Sequence, residues 1–183
     1  MSLSRACGVA ARAGVALSAF VVLAGCGYRP VVGASSGAAC HVVLARSFVA
    51  DAVATEEVLA GMREELARRG ALEAGQGHPR CVVEVLRIDE ASEGLAAVDG
   101  PEGAAPAARA VRVSVVGRAW REQDASGAPS SDTGDVRAAS ISAPAPDARG
   151  AVFNHGDASR AAARRLGRAL ASRLLGLPAA SEE

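Results

Sequence analysis

The sequence predicts an α/β (α+β) fold: a two-layer sandwich in which two helices cover a four-stranded mixed sheet, in the order βαβββα. Three observations predict it. Apolar residues recur at helical spacing over residues 55–69 and 158–175, and they alternate with polar residues over residues 110–120. The first of these helices lies between two short apolar runs, which is the pattern of a crossover between parallel strands.

The first strand is predicted over residues 41–48, where the run HVVLARSF contains β-branched residues that favour extended backbone. The first helix is predicted over residues 55–69, with acidic side chains in its first turn and Gly70 as its stop. On this helix Glu64 and Arg68 are four residues apart, so we expect an ion pair between them. The apolar residues of the helix recur every three or four positions: Val58, Leu59, Met62 and Leu66.

Three further strands are predicted over residues 81–88, 110–120 and 135–142, the last of them pairing back antiparallel on the one before it. Residues 89–108 lose all periodicity and accumulate Gly, Pro and Ala, so they are predicted to form a long loop, of the kind that is either functional or disordered. Residues 124–134 are rich in turn formers and predict a second connection.

The last helix is predicted over residues 158–175, with Asp157 as its N-cap. Gly176 and Pro178 end it, and residues 179–183 form a disordered tail. One side of this helix is an apolar stripe of Ala162, Leu166, Ala169, Leu170 and Leu174. A charged stripe follows a second side and consists of Arg160, Arg164 and Arg168.

Residues 1–25 have the order of a secretory signal peptide: arginines, an apolar run over residues 14–24, and small residues before Cys26. The run is too short for a transmembrane helix, which needs about 20 apolar residues. The sequence LAGC at residues 23–26 resembles the lipobox of bacterial lipoproteins. The resemblance implies that Cys26 is acylated and holds the chain on the periplasmic side of a membrane; the alternative is an ordinary secreted protein with an accidental cysteine.

Residues 26–39 are predicted to form the lipidated N-terminus and a flexible tether, and residues 40–178 the folded domain. Of the four cysteines, only Cys40 and Cys81 fall in this domain. An isolated pair in an oxidising periplasm favours a disulfide, which parallel neighbouring strands could bring together. The sequence leaves open whether the bond forms.

Composition and motifs exclude several function classes. Twenty arginines are balanced by 20 acidic residues and only 3% of residues are aromatic, so nucleic-acid binding is not expected. The three histidines are isolated, and the one GxSxG match, at residues 33–37, lies in the tether. We therefore expect no metal, no cofactor and no enzymatic activity; a lipid-anchored enzyme would instead show a cleft with perturbed titratable groups.

The order of these elements resembles the LptE family of lipopolysaccharide-assembly lipoproteins, the small partners of the outer-membrane barrel that delivers lipopolysaccharide to the cell surface. The resemblance rests on Cys26 with the following GYRP, on the strand that runs to Phe48, on the segment TEEVLAGMREELARRGAL at residues 55–72, and on the closing helix ASRAAARRLGRALASRLLGLP at residues 158–178.

The resemblance implies a non-enzymatic protein on the periplasmic face of the outer membrane, with the lipopolysaccharide-assembly β-barrel as its partner. The residue after the lipidated cysteine, Gly27, is not aspartate, which is consistent with sorting to the outer membrane. Direct contact with lipopolysaccharide would involve basic side chains, for which the candidates are Arg112, Arg118, Arg160, Arg164 and Arg168. Simple solvation of an alanine-rich helix also explains the three arginines of the last helix.

The alternative function is a lipid-anchored periplasmic regulator of a cell-wall synthase. Such a protein also combines a lipid anchor, a tether and a small α/β domain. It usually needs a disordered tether longer than the 13 residues between Cys26 and Cys40.

Overall fold

A computed structural model describes residues 39–93, 97–100, 103–106, 110–145 and 147–178. These residues form seven strands and two helices. The strands are β1 (His41–Ser47), β2 (Arg80–Glu93), β3 (Ala97–Gly100), β4 (Gly103–Pro106), β5 (Ala110–Glu122), β6 (Pro129–Asp132) and β7 (Val136–Ser142), and the helices are α1 (Ala52–Arg68) and α2 (Ala148–Leu174).

The main sheet is mixed and contains five strands. β1 pairs in parallel with β2, and β5 pairs antiparallel with the other edge of β2. Both β6 and β7 pair antiparallel with the far edge of β5, each along a different part of it. The predicted fold class is therefore confirmed, including the parallel crossover from β1 through α1 to β2. The sheet has one strand more than predicted, and β3 and β4 form a separate antiparallel ribbon.

Both helices pack on one face of the sheet, and the core lies between the two layers. Valines that alternate along β2 and β5 supply the sheet side of this core. The largest fully buried side chains include Val83, Val85 and Val115 from the sheet, Val58, Met62 and Leu66 from α1, and Leu166 and Leu170 from α2. Each such side chain contributes roughly 1.5–3 kcal/mol by leaving water.

Glycines allow the two helices to approach each other closely. A Cβ atom on Gly167 would lie 2.0 Å from the carbonyl oxygen of Val58, and one on Gly61 would lie 2.2 Å from that of Arg164. Both contacts are with backbone atoms, which cannot rotate away. The helix backbones therefore touch at these two points.

Both helices begin earlier than predicted because an aspartate upstream caps each of them. The Asp51 side chain accepts a hydrogen bond from the Ala54 amide at 3.0 Å, so α1 starts at Ala52 and its glutamates lie beyond the first turn. Asp147 accepts from the Gly150 amide at 2.7 Å, so α2 starts ten residues before the predicted position. The predicted cap Asp157 lies inside α2. Gly150 and Gly156 lower the helix propensity of these first turns, which explains why the predicted helix starts later.

The predicted loop over residues 89–108 was wrong for most of its length. β2 continues to Glu93 because its last residues pair with the start of β5, from Glu93 opposite Ala110 to Ile88 opposite Val115. Residues 97–100 and 103–106 form the β3–β4 ribbon. The sequence did not predict the end of β2 because this part of the strand no longer contacts the core beyond Ile88, so its side chains show no apolar alternation. The predicted connection at residues 124–134 likewise contains β6.

Candidate functional site

A disulfide bond joins Cys40, which precedes β1, to Cys81 in β2. Both cysteines are fully buried, and their Cα atoms are 5.7 Å apart. The parallel register places Val42 opposite Cys81 and so brings the two strand starts together. The bond therefore fastens the start of β1 to β2, the two strands that the α1 crossover connects.

The arginine stripe of α2 is matched by carboxylates. The distances from guanidinium nitrogen to carboxylate oxygen are 2.5 Å for Arg160–Asp157, 3.0 Å for Arg164–Glu57 and 3.2 Å for Arg168–Glu64. The last two pairs join α2 to α1. Since all three arginines are about half exposed, each pair contributes at most about 1 kcal/mol. The predicted pair Glu64–Arg68 is also present, at 3.4 Å.

A groove of about 430 Å³ follows this stripe, and a fourth arginine, Arg165, lines it as well. Arg165 donates a hydrogen bond from Nη1 to the Ala139 carbonyl of β7 at 2.8 Å. Four guanidinium groups thus line the groove, and three of them pair with the carboxylates of Asp157, Glu57 and Glu64. A planar guanidinium group can donate two parallel hydrogen bonds to two oxygens of one phosphate or carboxylate group. We call the surface lined by Arg160, Arg164, Arg165 and Arg168 the arginine groove.

The other two candidate arginines lie on the opposite face of the sheet, which neither described helix covers. Arg118 donates to Glu84 at 2.6 Å, and its guanidinium carbon lies 5.9 Å from the centre of the Trp120 ring. Arg112 is paired with Glu93. The structure therefore divides the five candidates between two faces and does not bring them together in one site.

More ion pairs cross the strands of this uncovered face. Arg87 and Arg137 both contact the Asp89 carboxylate, at 3.1 and 2.6 Å. Their hydrogen bonds, the one from Arg137 above all, lower the pKa of Asp89, and the hydrogen bond from Arg112 lowers the pKa of Glu93. The charged side chains of this face therefore largely neutralise one another, and Ile141, opposite Arg112, adds an exposed apolar side chain.

Glu122 lies at the end of this face, and the effect of its hydrogen bonds on its pKa can be measured. The Trp120 indole N–H donates to Glu122 at 2.8 Å, and this hydrogen bond, with one from Arg80, lowers the pKa of Glu122. Because folding lowers the pKa of Glu122, its ionised side chain stabilises the folded state at pH values above the ordinary glutamate pKa, about 4.3. This stabilisation is lost as the pH falls through the pKa of Glu122 in the folded state. Because Trp120 is the single tryptophan, we expect its fluorescence to change with a midpoint below about 4.3.

The control for this titration is Glu122→Gln, which keeps an oxygen acceptor for the indole but does not titrate. We expect it to abolish the fluorescence step, while far-UV circular dichroism shows that the chain is still folded over the same pH range. A midpoint at or above the ordinary glutamate value, or a step that persists in the glutamine variant, would contradict the assignment.

Sequence reasoning missed Arg121, a buried arginine that the structure leaves without a carboxylate partner among the described residues. It is 6% exposed, and its Nε and Nη2 atoms have no hydrogen-bond acceptor there. It lies between Cys81 and Ser131 in the register of the sheet. Burial lowers the pKa of this guanidinium. The third strand was predicted to end at Trp120, one residue too early to include it.

A second cavity of about 430 Å³ lies where β7 leads into α2. Its walls are mostly apolar, and Val152, which lines it, is exposed, as is the next residue, Phe153. His155, the one ionisable residue that lines the cavity, contacts Glu90 at 3.3 Å. The cavity offers hydrophobic contact to a ligand. Ser142 and His155 both line it, and no hydrogen bond joins these two side chains in the described part of the chain.

Within the described ranges, no three His, Cys, Asp or Glu side chains are arranged to hold a metal ion. No helix in the same part of the chain is both long enough and apolar enough to cross a membrane. The signal segment at residues 1–25, the lipidation site Cys26 and the tail at residues 179–183 lie outside the residues that the structure describes.

Solved structures similar to this chain include two lipoproteins. One is a minor lipoprotein from Acinetobacter baumannii, with a TM-score of 0.47 and 12% identity, which covers 74% of this chain and 92% of that one. The other is a candidate lipoprotein from Caulobacter crescentus CB15, with a TM-score of 0.44 and 15% identity, covering 75% and 88%. At these scores neither carries an argument about function. No protein-family model matches the sequence, and no curated protein matches it.

Proposed function

We propose that this chain is a non-enzymatic outer-membrane lipoprotein that supports the assembly and function of the lipopolysaccharide translocon barrel. The observation that carries the proposal is the lipobox-like LAGC at residues 23–26, followed by GYRP and then by a domain whose segments resemble those of the LptE family. The domain would face the periplasm, and the acylated Cys26 would hold it at the membrane.

The anchor would come from the lipid alone. Each buried methylene contributes about 0.8 kcal/mol, so a single acyl chain gives marginal binding and two or more give a stable anchor. Residues 27–39 would connect this anchor to the domain, which in this proposal begins at Cys40.

The charged side chains on the two outer surfaces of the domain support the proposal that it lies against the polar interior of a barrel. Cross-strand ion pairs such as Arg118–Glu84 cover the open face of the sheet, and the arginine groove follows the helix layer. The lumen of large outer-membrane barrels is polar, so a partner there needs polar surfaces rather than apolar ones. In this proposal the arginine groove contacts lipopolysaccharide phosphates, which would compete with its own carboxylates for the guanidinium groups.

The test compares three tagged full-length chains expressed at native level: the wild type, Cys26→Ser, and the matched control Cys7→Ser. We expect the wild type and Cys7→Ser to incorporate palmitate and to fractionate with the outer membrane. Cys26→Ser should lose palmitate and leave that fraction, because acylation requires its thiol. After crosslinking and detergent extraction, mass spectrometry of the wild-type pull-down should recover the large translocon barrel, and assay of the same eluate should detect lipopolysaccharide.

Other outcomes separate the alternatives. Palmitate on Cys26→Ser would exclude the anchor. Recovery of a peptidoglycan synthase in place of the barrel would exclude the translocon role and favour the cell-wall regulator. Recovery of the barrel without lipopolysaccharide would keep the assembly role and remove the phosphate contact from the proposal.

A further inference from the structure

The two edges of the five-stranded sheet differ in how their backbone groups are satisfied. At the β7 edge, side chains of α2 bind two carbonyl groups: Arg165 donates to Ala139 in β7, and Asn154 donates to Ala143, just after β7, at 3.1 Å. Such cover prevents an edge strand from pairing with another chain. The opposite edge strand is β1, the end of the sheet order.

The outer edge of β1 is occupied only at its start. The Cys40 amide donates to the Ala71 carbonyl, and the Cys40 carbonyl accepts from the Glu73 amide, both at 3.0 Å, so Leu72 forms one parallel bridge with Cys40. The next amide, that of His41, donates towards β2, to the Pro79 carbonyl at 3.4 Å. Because backbone groups alternate in direction along a strand, those of Val42 and Leu44 point out of the sheet, as those of Cys40 do.

No hydrogen bond from outside the sheet reaches the backbone of Val42 or Leu44 among the residues that the structure describes. β1 also ends at Ser47, which lies opposite Val85, whereas β2 runs on to Glu93. From Val42 to Ser47 this edge extends for about 17 Å, at about 3.3 Å per residue. The register of β1 against β2 shifts once within this stretch, between Leu44 and Arg46.

The side chains along this edge have a definite chemistry. Leu44, Phe48 and Val53, which lie on β1 and at the start of α1, are exposed large apolar residues. Arg46 has no carboxylate within 4 Å in the described part of the chain, and its guanidinium carbon lies 5.4 Å from the Phe48 ring centre. The nearest acidic position in the register, Glu84, is paired with Arg118 instead.

We propose that the outer edge of β1 binds an extended segment of another protein, which adds a strand to the sheet in line with Ala71–Glu73. Its backbone pairs with Val42 and Leu44, its apolar side chains contact Leu44 and Phe48, and an acidic side chain pairs with Arg46. Strand addition of this kind takes its affinity from main-chain hydrogen bonds and its specificity from alternate side chains. The proposal does not depend on which protein supplies the segment.

A second copy of this chain fits the edge less well. β1 carries His41 and Arg46 and no acidic residue, so two β1 strands placed side by side would leave both arginines without a carboxylate. A seven-residue strand also buries little of the roughly 1,200–2,000 Å² that stable protein pairs bury.

The test uses the ¹⁵N-labelled full chain in detergent and an acetylated hexapeptide of alternating valine and threonine with one central aspartate. Amide exchange is followed by NMR as the peptide is titrated. We expect exchange at Val42 and Leu44 to slow by about tenfold or more at saturation, while exchange at Val43, which already faces β2, is unchanged. The same peptide with lysine in place of aspartate should bind at least about tenfold more weakly, the effect of roughly 1.4 kcal/mol.

Two variants distinguish strand addition from nonspecific binding of the peptide. Leu44→Pro removes an outward amide but no bond to β2, a position that an edge strand tolerates, and it should abolish the protection. Arg46→Glu keeps the backbone intact and should reverse the preference, so that the lysine peptide binds more tightly. No protection at Val42 and Leu44, protection at β7 instead, or concentration-dependent protection without peptide, which would indicate a second copy, each overturns the proposal. None of these results bears on the translocon pull-down.

Discussion

Reduction of the Cys40–Cys81 bond is expected to lower the free energy of unfolding by about 4 kcal/mol. The bond closes a loop with a sequence separation of 41 residues, and opening it restores the chain entropy of that loop to the unfolded state. Both cysteines are fully buried, and the two thiols refill nearly the same space, so the change reports the cross-link rather than a cavity. The measurement is urea unfolding with and without reductant.

The control for this experiment is Cys40→Ala/Cys81→Ala, whose unfolding midpoint should not respond to reductant. Its stability should lie below that of the reduced wild type, because alanine leaves a small void at each site. Equal midpoints for the oxidised and reduced wild type would contradict a structural role for the bond. A response of the double variant to reductant would show that other cysteines contribute.

The second large effect is expected at the helix contact. Gly167→Ala should destabilise the domain by about 3 kcal/mol, at the upper end of the range for overpacked cores, because the new Cβ would meet Val58 oxygen and Met62 nitrogen at 2.0 and 2.7 Å. Both atoms belong to the α1 backbone, so the two helices would have to separate. Thermal and urea unfolding measure the loss.

Gly156→Ala is the matched control on the same helix. A Cβ atom there would meet no protein atom closer than the Arg160 guanidinium, at 4.0 Å. Since alanine is the better helix former, this variant should be more stable by about 0.5–1 kcal/mol. Opposite signs for the two substitutions support the close contact, whereas a loss of similar size in both would refute it.

The parts of the fold that reach the core could be predicted from the sequence. Val58, Met62 and Leu66 repeat at helical spacing and Val115 lies in an alternating run, because each of these residues must face the same buried layer. The end of β2 and the whole of β6 could not be predicted in this way. Backbone pairing holds them, and backbone groups leave no signature in side-chain hydrophobicity.

The candidate site was less predictable because its pairs are remote in sequence. Glu64 and Arg68 are one helical turn apart, and the spacing alone predicted their contact. Arg118 and Glu84 are 34 residues apart, and Arg168 and Glu64 are 104. Only the folded topology brings such groups together, so the sequence identified the arginines but not what they contact.

The position of the disulfide also determines how the domain would respond to mechanical load. A pull on the chain ahead of Cys40 would otherwise act on β1, an edge strand that could be peeled from the sheet one rung at a time. The bond passes that pull directly to Cys81 in β2, which is paired on both sides, with β1 and β5. Force from an anchored N-terminus would thus reach the middle of the sheet, where several rungs must break together, and the edge strand would bear little of it.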